Sequence, residues 1–163
     1  MLNFQIRKAR SGDEPGIHEA HMRSIREICS QDHTEAEISG WGNRPLGNRW
    51  IDAIKTGHVW VVESNCHVYG HGYIRIFTEH DCKQAHIHGL YLTLEAIKKG
   101  LGKKLAQLML MTAKDEGVTL VTLQSTLTAH EFYKSLGFKD AGPMSTVEIN
   151  GHPVRYYPME IRL

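Results

Sequence analysis

The sequence predicts a single mixed α/β (α+β) domain: a central sheet of about seven strands with helices on both faces. Three observations carry this. Leu101, Leu105, Leu108, Met109 and Thr112 form one apolar face of a long helix that Gly117 ends. An apolar strand at 118–123 follows at once, which makes a β-α-β unit with a parallel pair. Residues 59–63 and 68–77, rich in β-branched and aromatic side chains, meet at Ser64-Asn65 as an antiparallel hairpin. Asn150-Gly151, between strands at 145–149 and 154–161, is the third signal, because this dipeptide suits the tight turns that match strand twist. A chain of 163 residues fits one domain, so 1–163 is read as a unit.

In chain order, residues 4–9 are the first strand. Ser11 with Glu14 predicts a capping box, and Ile17, His21, Ile25 and Ile28 then recur at helical spacing. A second box, Thr34 and Glu37, opens a short helix towards Trp41. The GNRPLG stretch from Gly42 to Gly47 reads as loop, and Trp50 with Ile54 marks another helix that Gly57 is expected to end. Trp50 is expected in the core. Residues 87–92 form a fourth strand. A third box, Thr128 and Glu131, begins a compact helix with Phe132, Tyr133 and Leu136 on one face and Gly137 just past its end.

Composition excludes some classes of function. The formal net charge is +1 with both signs mixed, so no basic face is expected to displace counterions from a nucleic acid. No apolar run approaches membrane-spanning length and the first ten residues lack a leader pattern, so a cytoplasmic protein off the membrane is expected. Three cysteines without C-x-x-C spacing suggest neither a disulfide framework nor a thiolate zinc cage. His80, Asp81, Cys82, His86 and His88 are ligand types, but their tight spacing and the lack of a second cluster argue against a metal. A homodimer is left open.

Two stretches carry chemistry. Lys98-Lys99-Gly100-Leu101-Gly102-Lys103-Lys104 lies between a strand and a helix, where glycines let backbone N–H groups approach a phosphate and the helix terminus adds positive potential. Taken alone, this is equally a plain turn with solvated lysines. His86 and His88 stand two apart and hence on one strand face, with an imidazole that ordinarily titrates near neutral pH. Taken alone, such a pair is more often a polar strand face than a catalytic one.

Residues 90–102, LYLTLEAIKKGLG, resemble the acetyl-CoA signature of the GNAT N-acetyltransferase superfamily. Gly100 and Gly102 match its glycines, Ile97 stands where it has Arg or Gln, and Leu94 where proline is frequent. Residues 129–138, AHEFYKSLGF, resemble its second motif, so the likeness spans about 85–143. The resemblance implies the GNAT fold, with splayed fourth and fifth strands and CoA lying between them. It implies that the backbone of Leu90, Tyr91 and Leu92 pairs with the pantetheine arm, with Leu92 N–H on the thioester carbonyl. Lys98, Lys99, Gly100, Leu101, Gly102 and Lys103 would hold the pyrophosphate.

Residues 85–92, AHIHGLYL, and 138–143 resemble the H-x-H strand and post-motif segment of arylalkylamine (serotonin) N-acetyltransferases. That likeness implies His86 and His88 in proton removal and Tyr133 as the acid that protonates the leaving CoA sulfur. The chemistry needs both: an alkylamine of pKa about 10.4 costs about 4–5 kcal/mol to deprotonate at pH 7, and the departing thiolate needs a proton, which a phenol of pKa about 10, above a thiol's value of about 8.5, still carries at that pH. The implied activity is acetyl transfer from acetyl-CoA, a co-substrate, to a primary amine by direct attack in a ternary complex, without a metal. A small-molecule acceptor is expected, conceivably aromatic. Acetylation of a protein or peptide, and non-catalytic acyl-CoA sensing, are the alternatives.

Overall fold

A computed structural model describes residues 1–56 and 58–163; the expected helix stop at Gly57 lies outside the described residues. The first half holds β1 (Gln5–Lys8), α1 (Glu14–Glu27), a 3-10 turn (Cys29–Gln31), α2 (Glu35–Trp41) and α3 (Arg49–Lys55). Then come β2 (Val59–Ser64), β3 (His67–Glu79), β4 (Cys82–Leu92), α4 (Leu101–Asp115) and β5 (Leu120–Ser125). The chain closes with α5 (His130–Ser135), β6 (Lys139–Asp140), β7 (Ser145–Ile149) and β8 (His152–Arg162). The strands form one mixed sheet in the order β1-β2-β3-β4-β5-β8-β6, and β7 pairs with β8. β4 and β5 are the parallel pair; the other pairings are antiparallel. The strand beyond the expected set is β6, whose two residues are too few to leave a pattern in sequence.

Three hairpin turns set the registers. Asn65-Cys66, His80-Asp81 and Asn150-Gly151 all have positive φ at both residues, as the turns matching strand twist require. The first lies one residue beyond the expected Ser64-Asn65. The second returns β3 directly into β4, which therefore starts at Cys82, five residues before the expected 87.

One of the three capping boxes forms. Thr34 N–H donates to Glu37 Oε2 at 2.7 Å, and Glu37 N–H to Thr34 Oγ1 at 3.3 Å. The Ser11/Glu14 box does not: Asp13 caps α1 in position only. Its carboxylate accepts Arg10 N–H at 2.8 Å and both guanidinium nitrogens of Arg7 at 2.7 and 2.9 Å. Thr128 also fails to cap α5: the N-cap position falls on Ala129, which has no side-chain cap and whose own N–H donates to Thr126 Oγ1 at 3.0 Å. The helix stops behave as expected. Gly117 and Gly137 have positive φ, and the next N–H in each case reaches back to a carbonyl in the last turn, Val118 to Ala113 at 3.0 Å and Phe138 to Tyr133 at 3.1 Å.

The sheet buries a different cluster on each face. Ile74, Ala85, Ile87 and Val121 pack with Leu105 and Met109 of α4. Val59, Val61 and Tyr73 pack with Ile17 and Ala20 of α1 and with Trp50 of α3, where that tryptophan was expected. No helix among the described residues is long and apolar enough to cross a membrane.

Candidate active site

The parallel pair separates halfway along. β4 and β5 are in register from Gln84↔Leu120 to Ile87↔Leu123, and β4 runs on to Leu92 without a partner on that side. A bulge falls at the same place: Tyr73 opposes Gly89 and Ile74 opposes Ile87, which leaves His88 as the extra residue. A bulge resets the alternation of side chains, so His86, His88 and then Tyr91 face α1, where Tyr91 lies 4.2 Å from the His21 ring. Thr93 N–H bonds Tyr69 O of β3 at 2.9 Å. Strand alternation then turns the N–H groups of Leu92 and Leu90 the other way, into the gap.

The gap is a cleft of about 620 Å³. Leu90, Tyr91 and Leu92 line one wall, and Phe132 and Tyr133 of α5 line the opposite one. Its far end is the turn into α4. There Lys98 has φ 58°, and Gly100, the helix cap, has φ 76°. The first intrahelical bond runs from Lys104 N–H to Gly100 O at 3.1 Å, so the N–H groups of Leu101, Gly102 and Lys103 are free of helix partners. A helix start with free N–H groups suits an anion. Lys98, Gly100, Gly102 and Lys103 line the cleft, and Ile97 adds an apolar contact. Lys99 is not among the lining residues. Leu101 packs its side chain into the core at 6% exposure, leaving only its backbone for a ligand.

The two histidines are brought together, with ring centroids 4.8 Å apart. His86 is half-buried, and its Nδ1 lies 2.8 Å from Thr122 Oγ1. The Thr122 hydroxyl also lies 3.5 Å from Ala85 O, which lets it accept from Nδ1–H in the tautomer that leaves Nε2 with its lone pair. His88 stacks on Tyr73 at 5.0 Å and keeps an open edge to solvent. Titration near neutral pH, expected of an isolated imidazole, is not retained. Burial lowers the pKa of His86, and burial with the charges of His86, Arg49 and Arg75 lowers that of His88 to about 4. Both rings are therefore neutral at pH 7.

Tyr133 sits across the cleft in the last turn of α5, 5% exposed, between Phe132 at 5.2 Å and Phe138 at 5.5 Å. Burial raises its pKa, so the phenol keeps its proton at neutral pH. Cys29 also lines the cleft, but burial pushes its thiol up to about 12, which makes it a poor nucleophile. His80 and Asp81 are taken up in the β3–β4 turn. Among the described residues no group of three or more His, Cys, Asp or Glu could hold a metal ion.

A second cavity of about 260 Å³ opens on the other side of the splay and shares Ile87, His88, Tyr91, Gln124 and Thr126 with the first. His88 thus stands at the seam. Trp41 of α2, Val147 and Ile149 of β7 and Val154 of β8 wall the cavity. Glu37 draws these elements together. Only 4% exposed, it accepts Arg155 N–H at 3.0 Å, Arg155 Nε at 2.9 Å and a second guanidinium nitrogen at 3.1 Å. Arg155 and two backbone N–H donors hold this carboxylate at about 2. Arg44, Arg49, Gln124 and Tyr156, which also line this cavity, have no signal in the sequence beyond Arg44's place in the GNRPLG loop.

The Acetyltransferase (GNAT) domain family model matches residues 29–163. No curated protein sequence matches the chain. Among solved structures, the chain is similar to a GCN5-related N-acetyltransferase from Rhodopseudomonas palustris, with TM-score 0.82 and 18% identity over 100% of this chain and 98% of that one. It is similar to the PaiA N-acetyltransferase from Thermoplasma acidophilum in complex with coenzyme A, at 0.75 and 19% over 99% of each chain. It is also similar to mosquito arylalkylamine N-acetyltransferase like 5b, at 0.70 and 13% over 99% of this chain and 100% of that one.

Proposed function

The chain belongs to the GNAT acetyltransferase family, and on that premise we propose that it moves the acetyl group of acetyl-CoA to a small primary amine by direct attack in a ternary complex. The observation that carries this reading is the pair of cavities meeting at His88, one ending in the free N–H groups of α4 and the other lined by β7 and β8. The helix start, with Lys98 and Lys103, takes the pyrophosphate. The pantetheine arm lies along Leu90 to Leu92 as an added strand, and Leu92 N–H donates to the thioester carbonyl, where charge develops during attack. The second cavity, of about 260 Å³, matches the size of a small acceptor better than that of a protein surface.

His88 and His86 receive the proton that the amine sheds. With values below neutrality they are relays that pass it to water rather than groups that store it. Tyr133 protonates the departing sulfur. Calorimetric titration with CoA, followed by assay of thiol release with a panel of amines, tests the reading. Folded protein that takes up no CoA would sink it.

Two predictions follow from the geometry. Replacing both His86 and His88 by alanine lowers kcat/KM by roughly 10²-fold. In the wild type the neutral rings are the active form, so activity falls as pH drops through about 4, and the double variant loses this acid limb; a pH–rate profile reads both effects. Gly100→Ala forces a side chain into φ 76°, at about 1–2 kcal/mol. A melting curve is expected to fall by a few degrees, and the KM for acetyl-CoA to rise as the first turn of α4 shifts.

A further inference from the structure

The second cavity carries fixed positive charge and no fixed negative charge. Arg44 and Arg49 line it, no Asp or Glu does, and neither arginine forms an ion pair among the described residues. Arg155, the third arginine of the lining, is neutralised by Glu37. The two unpaired guanidiniums are held in place. Arg44 Nε donates to Trp41 O at 3.1 Å, while Arg49 donates to His88 O at 3.3 Å with its guanidinium carbon 4.9 Å from the centre of the Trp50 ring. Desolvation lowers the pKa of both, and the charge of Arg49 lowers that of Arg44 further. A guanidinium stays charged even so, which leaves two like charges facing a cavity whose histidines, His21, His86 and His88, are neutral.

Such an arrangement repels a bare alkylammonium and attracts a molecule that brings its own anion. We propose that the acceptor is a small amine that also carries an oxyanion, a carboxylate or a phosphate, which Arg44 and Arg49 hold next to His88. The inference rests on the transferase reading and names its substrate class. A planar guanidinium meets a carboxylate or phosphate through two parallel hydrogen bonds, so the anion fixes orientation as well as adding affinity. Arg49 is bonded to the backbone of the bulge that carries His88, which sets the anion-binding group beside the proton relay. Trp41, Val147 and Val154 leave apolar wall for the rest of the molecule.

Matched acceptors test this with the intact protein, acetyl-CoA and thiol release. Suitable pairs are phenylalanine with phenethylamine, methionine with 3-(methylthio)propylamine, and phosphoethanolamine with ethanolamine. The anionic member of at least one pair is expected to have about tenfold or more higher kcat/KM. Comparison of the carboxylate pairs with the phosphate pair identifies the oxyanion. Arg44→Gln and Arg49→Lys should each raise the KM of the anionic acceptor roughly 10-fold or more and narrow the gap within its pair, with the KM for acetyl-CoA unchanged. Arg49→Lys keeps the charge while removing the fork, and neither substitution alters the intrinsic basicity of the amines.

Amines without an oxyanion acetylated as well as their anionic partners, or a gap that survives both substitutions, would overturn the acceptor class while leaving the transferase reading intact. No thiol released with any amine removes the transferase reading, and the acceptor class with it.

Discussion

Tyr133→Phe is expected to lower kcat by roughly 10²- to 10⁴-fold, the usual worth of a positioned general acid, while the Kd for acetyl-CoA changes little. The substitution deletes one oxygen. The ring contacts with Phe132 and Phe138 persist, as does the backbone bond from Phe138 N–H to Tyr133 O at 3.1 Å. The phenol has no protein hydrogen-bond partner among the described residues, so its loss leaves no stranded donor and the melting temperature should hold. What is lost is a proton held ready by burial in the wall of the cleft. Without it CoA must depart as a thiolate or wait for water. Steady-state kinetics and calorimetry on the same preparation separate the alternatives: an unchanged kcat, or a loss explained wholly by weaker acetyl-CoA binding, would remove Tyr133 from the acid role.

Glu37→Ala is expected to cost about 3 kcal/mol, the low end for breaking a buried ion pair because Arg155 can turn towards solvent. For a domain of this size that corresponds to a fall in Tm of roughly 5–10 °C. The one carboxylate closes the capping box of α2 and ties that helix to β8 through Arg155. Its removal also frees a third positive charge beside the second cavity. The effect depends on pH. Glu37 titrates at about 2 in the folded protein against an ordinary 4.5. A depressed carboxylate stabilises fully above its unfolded value and loses that contribution as pH falls towards its folded one. Denaturation midpoints should therefore separate wild type from Glu37→Gln most widely above about pH 5, with the difference shrinking between 4.5 and 2. A difference independent of pH would show that packing, and not ionisation, holds α2 to β8.

Residue by residue, legibility follows the range of the interactions involved. The Thr34/Glu37 box forms as written because both halves lie within one turn and nothing distant competes for Thr34. Ser11/Glu14 carries the same signature and does not form, because Arg7 from β1 engages Asp13 and the helix starts around that residue. The His80-Asp81 turn has no glycine to announce it, yet β3 and β4 pair from Glu79↔Cys82 onward and force it. The turn at Gly100 into α4 was readable, since glycine positions and a following helix are local facts. The second cavity was not, because α1, the 42–48 loop, α3 and β5 each contribute a single residue to it, and β7 and β8 add two and three from the far end of the chain.

By itself the sequence determined the elements other than β6, two of the three hairpins, the parallel unit and the family signature, all of which depend on spacings of a few residues where backbone geometry and side-chain alternation leave little choice. Only the tertiary structure decided where β4 and β5 part, that His86 and His88 are neutral at pH 7, and that Arg44 and Arg49 face the seam without a counter-charge. Those properties depend on burial and on charges carried by distant segments. Electrostatic energies in a folded protein depend on which groups meet and how much water is excluded, and chain spacing specifies neither.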